Sequence, residues 1–183
     1  MEFTRTEIPD VILCKPTLFG DERGYFYETF KKNEFEAFLG EEIHFCQDNE
    51  AKSSVNVLRG LHYQLPPFAQ SKLVRVIKGK VLDVAVDIRK KSPTFGKYVA
   101  IELSEENKLQ LFVPKGFAHG YVSLENETIF SYKVDNYYNK NSERGILYND
   151  VSININWGKN DTPFIISEKD TIQPTFNNAE LFE

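Results

Sequence analysis

Lys72-Leu73-Val74-Arg75-Val76-Ile77-Lys78-Gly79-Lys80-Val81-Leu82-Asp83-Val84-Ala85-Val86-Asp87-Ile88-Arg89 reads as two β-strands joined by a turn at Lys78-Gly79-Lys80. In the second strand Leu82, Val84, Val86 and Ile88 fall on one face, and Asp83, Ala85 and Asp87 on the other. Working outward, Val99–Leu103 and Lys108–Val113 flank Ser104-Glu105-Glu106-Asn107, a pattern that predicts a hairpin with a four-residue loop. Phe130–Val134 is a further short strand. Helical pattern is scarce. Asn33 is expected to cap a short helix bearing Phe35, Phe38 and Leu39, with Gly40 ending it. A second, weaker helical segment is expected after Thr171. Many short strands separated by turn signals predict an all-β sandwich or barrel of the jelly-roll kind, with a few short helices.

The chain has 183 residues and shows no repeat, low-complexity tract or linker, so residues 1–183 are expected to form a single domain. Its 41% hydrophobic content is that of a globular protein, and its 14% aromatic share leans towards strands. A net charge of −5 argues against nucleic acid as a partner, although a local basic pocket for one diphosphate stays open. Met1 to Asp10 carries Glu2, Arg5, Glu7 and Asp10 and does not read as a secretory signal. No stretch has the apolar length of a membrane span. Cys14 and Cys46 lack metal-ligand spacing and are expected to be reduced, partly buried thiols in a cytoplasmic protein.

Three segments carry chemistry. The first is Val57-Leu58-Arg59-Gly60-Leu61-His62-Tyr63-Gln64, continued by Ala69-Gln70 and Ser71-Lys72-Leu73-Val74-Arg75-Val76. Imidazole is the side chain best suited to take a proton near neutrality, and the chain has only His44, His62 and His119. A lone histidine is more often a hydrogen-bonded structural residue. The clustering of Arg59, His62 and Lys72 favours a site, because a diphosphate or an enolate needs such cations. The second segment is Pro114 to Tyr121, where Gly116 and Gly120 predict a turn and a close backbone approach around His119. The third is Tyr132-Lys133-Val134-Asp135-Asn136-Tyr137-Tyr138, followed by Glu143-Arg144-Gly145. A tyrosine can hold a proton at neutral pH and give it to a carbanion, although a tyrosine-rich strand is often only a core element.

Taken in order, these segments resemble the dTDP-4-dehydrorhamnose 3,5-epimerase family, a cupin-fold group, from about Pro16 to Asp170. The likeness includes Gly20-Asp21-Glu22-Arg23-Gly24, Gln47-Asp48-Asn49, Ser92-Pro93-Thr94-Phe95-Gly96, Asn149-Asp150 and Ser167-Glu168-Lys169-Asp170. It implies that His62 is a general base oriented by Asp170, that Tyr132 is the acid on the opposite face, and that Lys72 sits near the keto oxygen. It implies that Gln47, Asp48, Asn49, Tyr138 and Glu143 line the nucleotide end of the site, with Arg59, His119 and Lys169. Arg23, Phe26 and Glu28 match the segment, residues 20–30, that the family lends to the neighbouring subunit's site, so a homodimer follows by resemblance. The implied reaction inverts carbons 3 and 5 of a dTDP-linked 4-keto-6-deoxy sugar through an enolate, with no redox cofactor.

Cupin metal sites typically use a His-x-His pair with a nearby Glu. Here His62-Tyr63-Gln64 occupies that position and no Glu lies between Lys52 and Lys97, so no metal is expected. The competing expectations are a single-carbon epimerase, a keto-isomerase, an enzyme of a GDP-linked 4-keto heptose, a metal-dependent cupin enzyme, and a silent sugar-nucleotide binding module. Tyr148 stands where the family often has Trp, and Val151-Ser152 replaces a common proline. Both departures are expected to frame the pocket wall.

Overall fold

The computed structural model of the chain describes residues 1–158 and 162–183. It begins with β1 (Glu2–Arg5), β2 (Ile12–Lys15), β3 (Phe19–Asp21), β4 (Gly24–Phe26) and α1 (Lys32–Leu39). Next come β5 (Gln47–Ser53), β6 (Val57–Gln64), β7 (Lys72–Lys78), β8 (Lys80–Asp87) and β9 (Tyr98–Ser104). After them follow β10 (Gln110–Val113), β11 (Phe117–Ser123), β12 (Thr128–Val134) and β13 (Glu143–Gly145). The last elements are β14 (Ile165–Ile166), α2 (Glu168–Thr171) and a 3₁₀ turn at Phe176–Asn178. One sheet has the order β1-β2-β10-β7-β12-β5 and the other β13-β6-β11-β8-β9, with β14 beside β6. The pairs within these sheets are antiparallel except β14 with β6. This is a jelly-roll sandwich, as the many short strands predict.

The turn at Lys78-Gly79-Lys80 carries the chain from one sheet to the other, because β7 pairs with β10 and β12 while β8 pairs with β9 and β11. Gly79 has φ 78°, and a Cβ there would stand 2.5 Å from the Thr128 hydroxyl. Both faces of β8 are buried. Val84, Val86 and Ile88 pack outward under a cover that includes Ile146, Ile153, Trp157 and Phe176. Val81 and Ala85 point inward, where Val74, Val76, Leu111 and Phe130 of the facing sheet meet them. Burying each such aliphatic or aromatic side chain contributes about 1.5–3 kcal/mol. The polar face of β8 is therefore the interior one, and Asp83 and Asp87 are both fully buried. No helix among the described residues is long and apolar enough to cross a membrane.

Four expectations need correction. Val99–Leu103 and Lys108–Val113 do not form a hairpin, since β9 pairs with β8 and β10 with β2 and β7. The turn between them closes on itself instead. The Asn107 Oδ1 accepts from the Ser104 and Leu109 amides, and Lys108 at φ 55° redirects the chain to the other sheet. Asn33 lies inside α1, whose N-cap is Lys31 without a side-chain cap; the helix is held by Phe35, which is buried against Phe112 and Phe30. Gly40 does end it, left-handed at φ 86°, its amide donating to the Glu36 carbonyl. The C-terminal helix, α2, ends at Thr171 rather than following it, and only the 3₁₀ turn comes after. The two thiols are free but differ. Cys14 is buried, its pKa pushed up to about 12 by burial, and Cys46 is exposed.

Candidate active site

A cavity of about 550 Å³ opens between the two sheets. The second sheet supplies His62 and Arg59 from β6 and His119 and Tyr121 from β11. The first sheet supplies Lys72 from β7, and Phe130 and Tyr132 from β12. Gly60 and Gly120 let β6 and β11 approach at the irregularity in their pairing. A Cβ on Gly60 would stand 2.6 Å from Gly120 Cα, and one on Gly120 would stand 2.7 Å from the Arg59 carbonyl oxygen. That close approach brings His62 directly opposite His119.

Asp170 reaches the cavity by a separate route. β14 runs beside Val57 and Leu58, so the chain enters α2 next to β6. The Ser167 hydroxyl caps that turn by accepting from the Asp170 amide at 3.2 Å. The Asp170 carboxylate then lies 2.6 Å from His62 Nε2 and accepts from the Gly60 amide at 3.4 Å. Its side chain is 4% exposed against 33% for His62. Burial works to raise the Asp170 pKa, but the His62 hydrogen bond and charge, the Gly60 amide and the Ser167 cap hold it below the usual range. With a carboxylate facing Nε2, the neutral ring carries its proton there and presents the Nδ1 lone pair.

His119 is tied down in the same fashion, Nε2 standing 3.0 Å from each oxygen of the buried Asp83. Burial lowers its pKa despite that carboxylate. The Lys72 side chain is half-buried in the cavity wall. Its pKa is lowered to about 8 by burial, against the pull of Asp83. Tyr132 is raised by burial, with the Arg59 charge opposing, so its phenol is protonated at neutral pH.

A second cavity, of about 290 Å³, shares His62, Lys72 and Tyr132 with the first and is lined further by Gln47, Asn49, Tyr138 and Glu143. Here the Tyr138 hydroxyl donates to Glu143 at 3.0 Å and Lys169 pairs with the other Glu143 oxygen at 2.5 Å. Gln47 donates to Asn49 at 2.7 Å.

Not every expected residue joins this group. Asp48 faces the other side of β5 and pairs with Lys133 at 2.8 Å, because alternation along a strand cannot put Gln47, Asp48 and Asn49 on one face. Tyr148 and Val151-Ser152 do not frame the pocket. Tyr148 packs outside the second sheet against Phe164, and Val151 is 89% exposed. Arg23, Phe26 and Glu28 line neither cavity; Arg23 pairs with Asp21 and Glu28 with Lys31. Conversely, Asp83, Tyr121, Phe130 and Ser167 belong to the site or its support, although the sequence segments that hold them assign them no role. Asp83 is legible as one of two carboxylates on a largely apolar strand.

Residues 5–178 match the family model described as dTDP-4-dehydrorhamnose 3,5-epimerase. The chain belongs to the dTDP-4-dehydrorhamnose 3,5-epimerase family. It is 53% identical over 182 residues to the Shigella flexneri dTDP-4-dehydrorhamnose 3,5-epimerase, covering 100% of this chain and 99% of that one. Among solved structures, the Elizabethkingia anophelis epimerase superposes with a TM-score of 0.94 at 50% identity, with 97% of each chain covered. The Legionella pneumophila epimerase, in complex with dTDP-4-keto-L-rhamnose, superposes with a TM-score of 0.93 at 44% identity, covering 97% of this chain and 93% of that one. As a member of the dTDP-4-dehydrorhamnose 3,5-epimerase family, the chain is an enzyme of the isomerase class.

Proposed function

We propose that this chain, as one catalytic domain over residues 1–183 acting in the cytoplasm, inverts carbons 3 and 5 of dTDP-4-keto-6-deoxy-D-glucose to give dTDP-4-keto-L-rhamnose. The observation that carries the proposal is that a histidine on one sheet, paired with Asp170 of α2, and a tyrosine on the facing sheet wall the same cavity beside the half-buried Lys72. The ketone acidifies the hydrogens at carbons 3 and 5. His62 Nδ1 takes one of these protons, and Asp170 fixes the tautomer and stabilises the imidazolium that forms. Electron density moves to the keto oxygen, where the Lys72 ammonium meets the developing charge. Tyr132 then gives its phenolic proton to the same carbon from the other face, and solvent resets both groups. The proton arrives on the face opposite to the one it left, so the carbon inverts.

Gln47, Asn49, Tyr138 and Glu143 would hold the nucleotide, with Arg59 and Lys169 as the cations for the diphosphate and His119 beside the sugar. The reading needs neither metal nor redox cofactor, and each cavity histidine already gives one nitrogen to a carboxylate. A homodimer fits the hairpin of β3 and β4, which exposes Phe19, Tyr25 and Phe26 and could carry Arg23, Phe26 and Glu28 to a second subunit's site.

The test is incubation with dTDP-4-keto-6-deoxy-D-glucose in deuterium oxide, followed by proton NMR. Deuterium at both carbon 3 and carbon 5 with inverted configuration is expected. Label at one carbon alone would make this a single-carbon epimerase, and a 3-keto product would make it a keto-isomerase. Activity lost to a chelator and restored by metal would favour a metal-dependent cupin enzyme.

Lys72 sets a pH dependence. The ammonium is present below its pKa of about 8 and lost above it, so kcat/KM should fall as pH rises through that value. Lys72→Met should be slow and lack that alkaline limb. A Lys72→Met variant as fast as the unsubstituted protein would remove Lys72 from the chemistry.

A further inference from the structure

Tyr121 is a polar group in the cavity wall to which the mechanism above assigns no task. It lies on β11 two residues beyond His119, directly across from Asp83 on β8 and Arg59 on β6. Its ring stacks on Phe130 at 4.1 Å between centroids and 21° between planes. Phe130 also packs against His119 at 6.2 Å and Tyr132 at 6.1 Å, so one aromatic hub sets the positions of all three rings. The residue is 5% exposed, and its hydroxyl is buried without a hydrogen-bond partner among the described residues. Ser53 stands near enough to pull the Tyr121 pKa down against burial, but outside hydrogen-bond geometry, and its hydroxyl accepts from Arg59 Nε at 3.2 Å.

A buried hydroxyl left unpaired costs about 1–3 kcal/mol, so a protein that keeps one in a cavity wall has a use for it when the cavity is filled. We propose that Tyr121 is a further substrate-positioning residue, whose hydroxyl hydrogen-bonds a ring hydroxyl of the hexose. The assignment rests on the nucleotide-sugar reading above. The hexose must sit between His62 and Tyr132, and Tyr121 shares the Phe130 hub with Tyr132. It lines the larger cavity and not the smaller one, where Gln47, Asn49, Tyr138 and Glu143 stand. The contact would hold the ring at a fixed rotation between base and acid, so that the same carbon faces both. Burial raises the Tyr121 pKa, which keeps the hydroxyl protonated and able to donate.

The test compares Tyr121→Phe with the unsubstituted protein by calorimetry against dTDP and dTDP-glucose. The second ligand has the hexose but no ketone, so it binds without reacting. For dTDP the Kd should not change. For dTDP-glucose it should rise about two- to tenfold, the loss of one hydrogen bond between neutral groups. The unliganded thermal midpoint should stay the same or rise, since the substitution deletes an unpartnered hydroxyl. A lower midpoint would make the hydroxyl structural and overturn the proposal. Equal weakening for both ligands would move the contact to the nucleotide or diphosphate, and no weakening for either would leave Tyr121 without a ligand; both results overturn it. If the unsubstituted protein binds neither compound, the nucleotide-sugar reading itself has failed, and that failure shows without any variant.

Discussion

His62→Ala is expected to lower solvent deuterium exchange into dTDP-4-keto-6-deoxy-D-glucose by roughly 10²- to 10⁴-fold, the usual contribution of a general base. Nucleotide binding should largely survive, since Gln47, Asn49, Tyr138 and Glu143 do not depend on the imidazole for their place. The alanine variant also deprives Asp170 of its nearest donor. A buried carboxylate with one remaining amide partner at 3.4 Å is costly, so some loss of thermal stability should accompany the loss of exchange. His62→Asn separates the two effects. Its amide can still donate towards Asp170 but cannot accept a proton from carbon, so stability should recover while exchange does not. Exchange measured by NMR that remains near normal in either variant would remove His62 as the base. His119 is the weaker candidate, because burial lowers its pKa and so its basicity despite the Asp83 carboxylate.

The sequence is readable where the signal is local and silent where it is not. The all-β class is visible from Lys72–Arg89 because alternation with period two is a property of one strand and needs no partner. Pairing is not local. The Ser104–Asn107 loop has the length and residues of a hairpin, yet its side chains close a turn that sends β10 to the other sheet, where β2 and β7 flank it. What decides between these outcomes is which sheet has an open place for Gln110–Val113, and no window of sequence contains that information. The site divides in the same way. His62 and Asp170 are 108 residues apart, and only family likeness joins them before the fold is seen. Asp48 is the opposite case. Alternation along β5 alone turns its side chain away from those of Gln47 and Asn49, a separation that can be read from the strand without the fold. Tyr121 has no local signal, because an unpaired buried hydroxyl can be recognised only when every neighbour is in place.

Tyr132→Phe should divide the reaction into its two halves. The phenylalanine keeps the ring packed beside Phe130 and removes only the phenolic proton, so the cavity retains its shape. Substrate still binds, Lys72 still faces the keto oxygen, and His62 still lifts a proton to form the enolate. No acid then stands on the facing sheet, and the enolate is quenched from the side that His62 occupies. Because the imidazolium exchanges its proton with solvent, the returned atom is deuterium and the configuration is unchanged. The variant is therefore expected to incorporate deuterium into uninverted substrate, while inverted product falls by roughly 10²- to 10⁴-fold. Proton NMR of the recovered sugar nucleotide reads both quantities at once, isotope content from lost signals and stereochemistry from ring couplings. A mechanism with one base serving both faces would keep exchange and inversion together. Loss of both together would place Tyr132 in binding or in enolate formation instead. Undiminished inversion would discharge Tyr132 altogether, and the acid would then have to be Tyr138, whose hydroxyl donates to Glu143 from the rim of the smaller cavity, or a bound water. The prediction draws its strength from the two-sheet construction. The base rides on β6 and the acid on β12, so each face of the sugar is served by a different sheet and one substitution can silence one face.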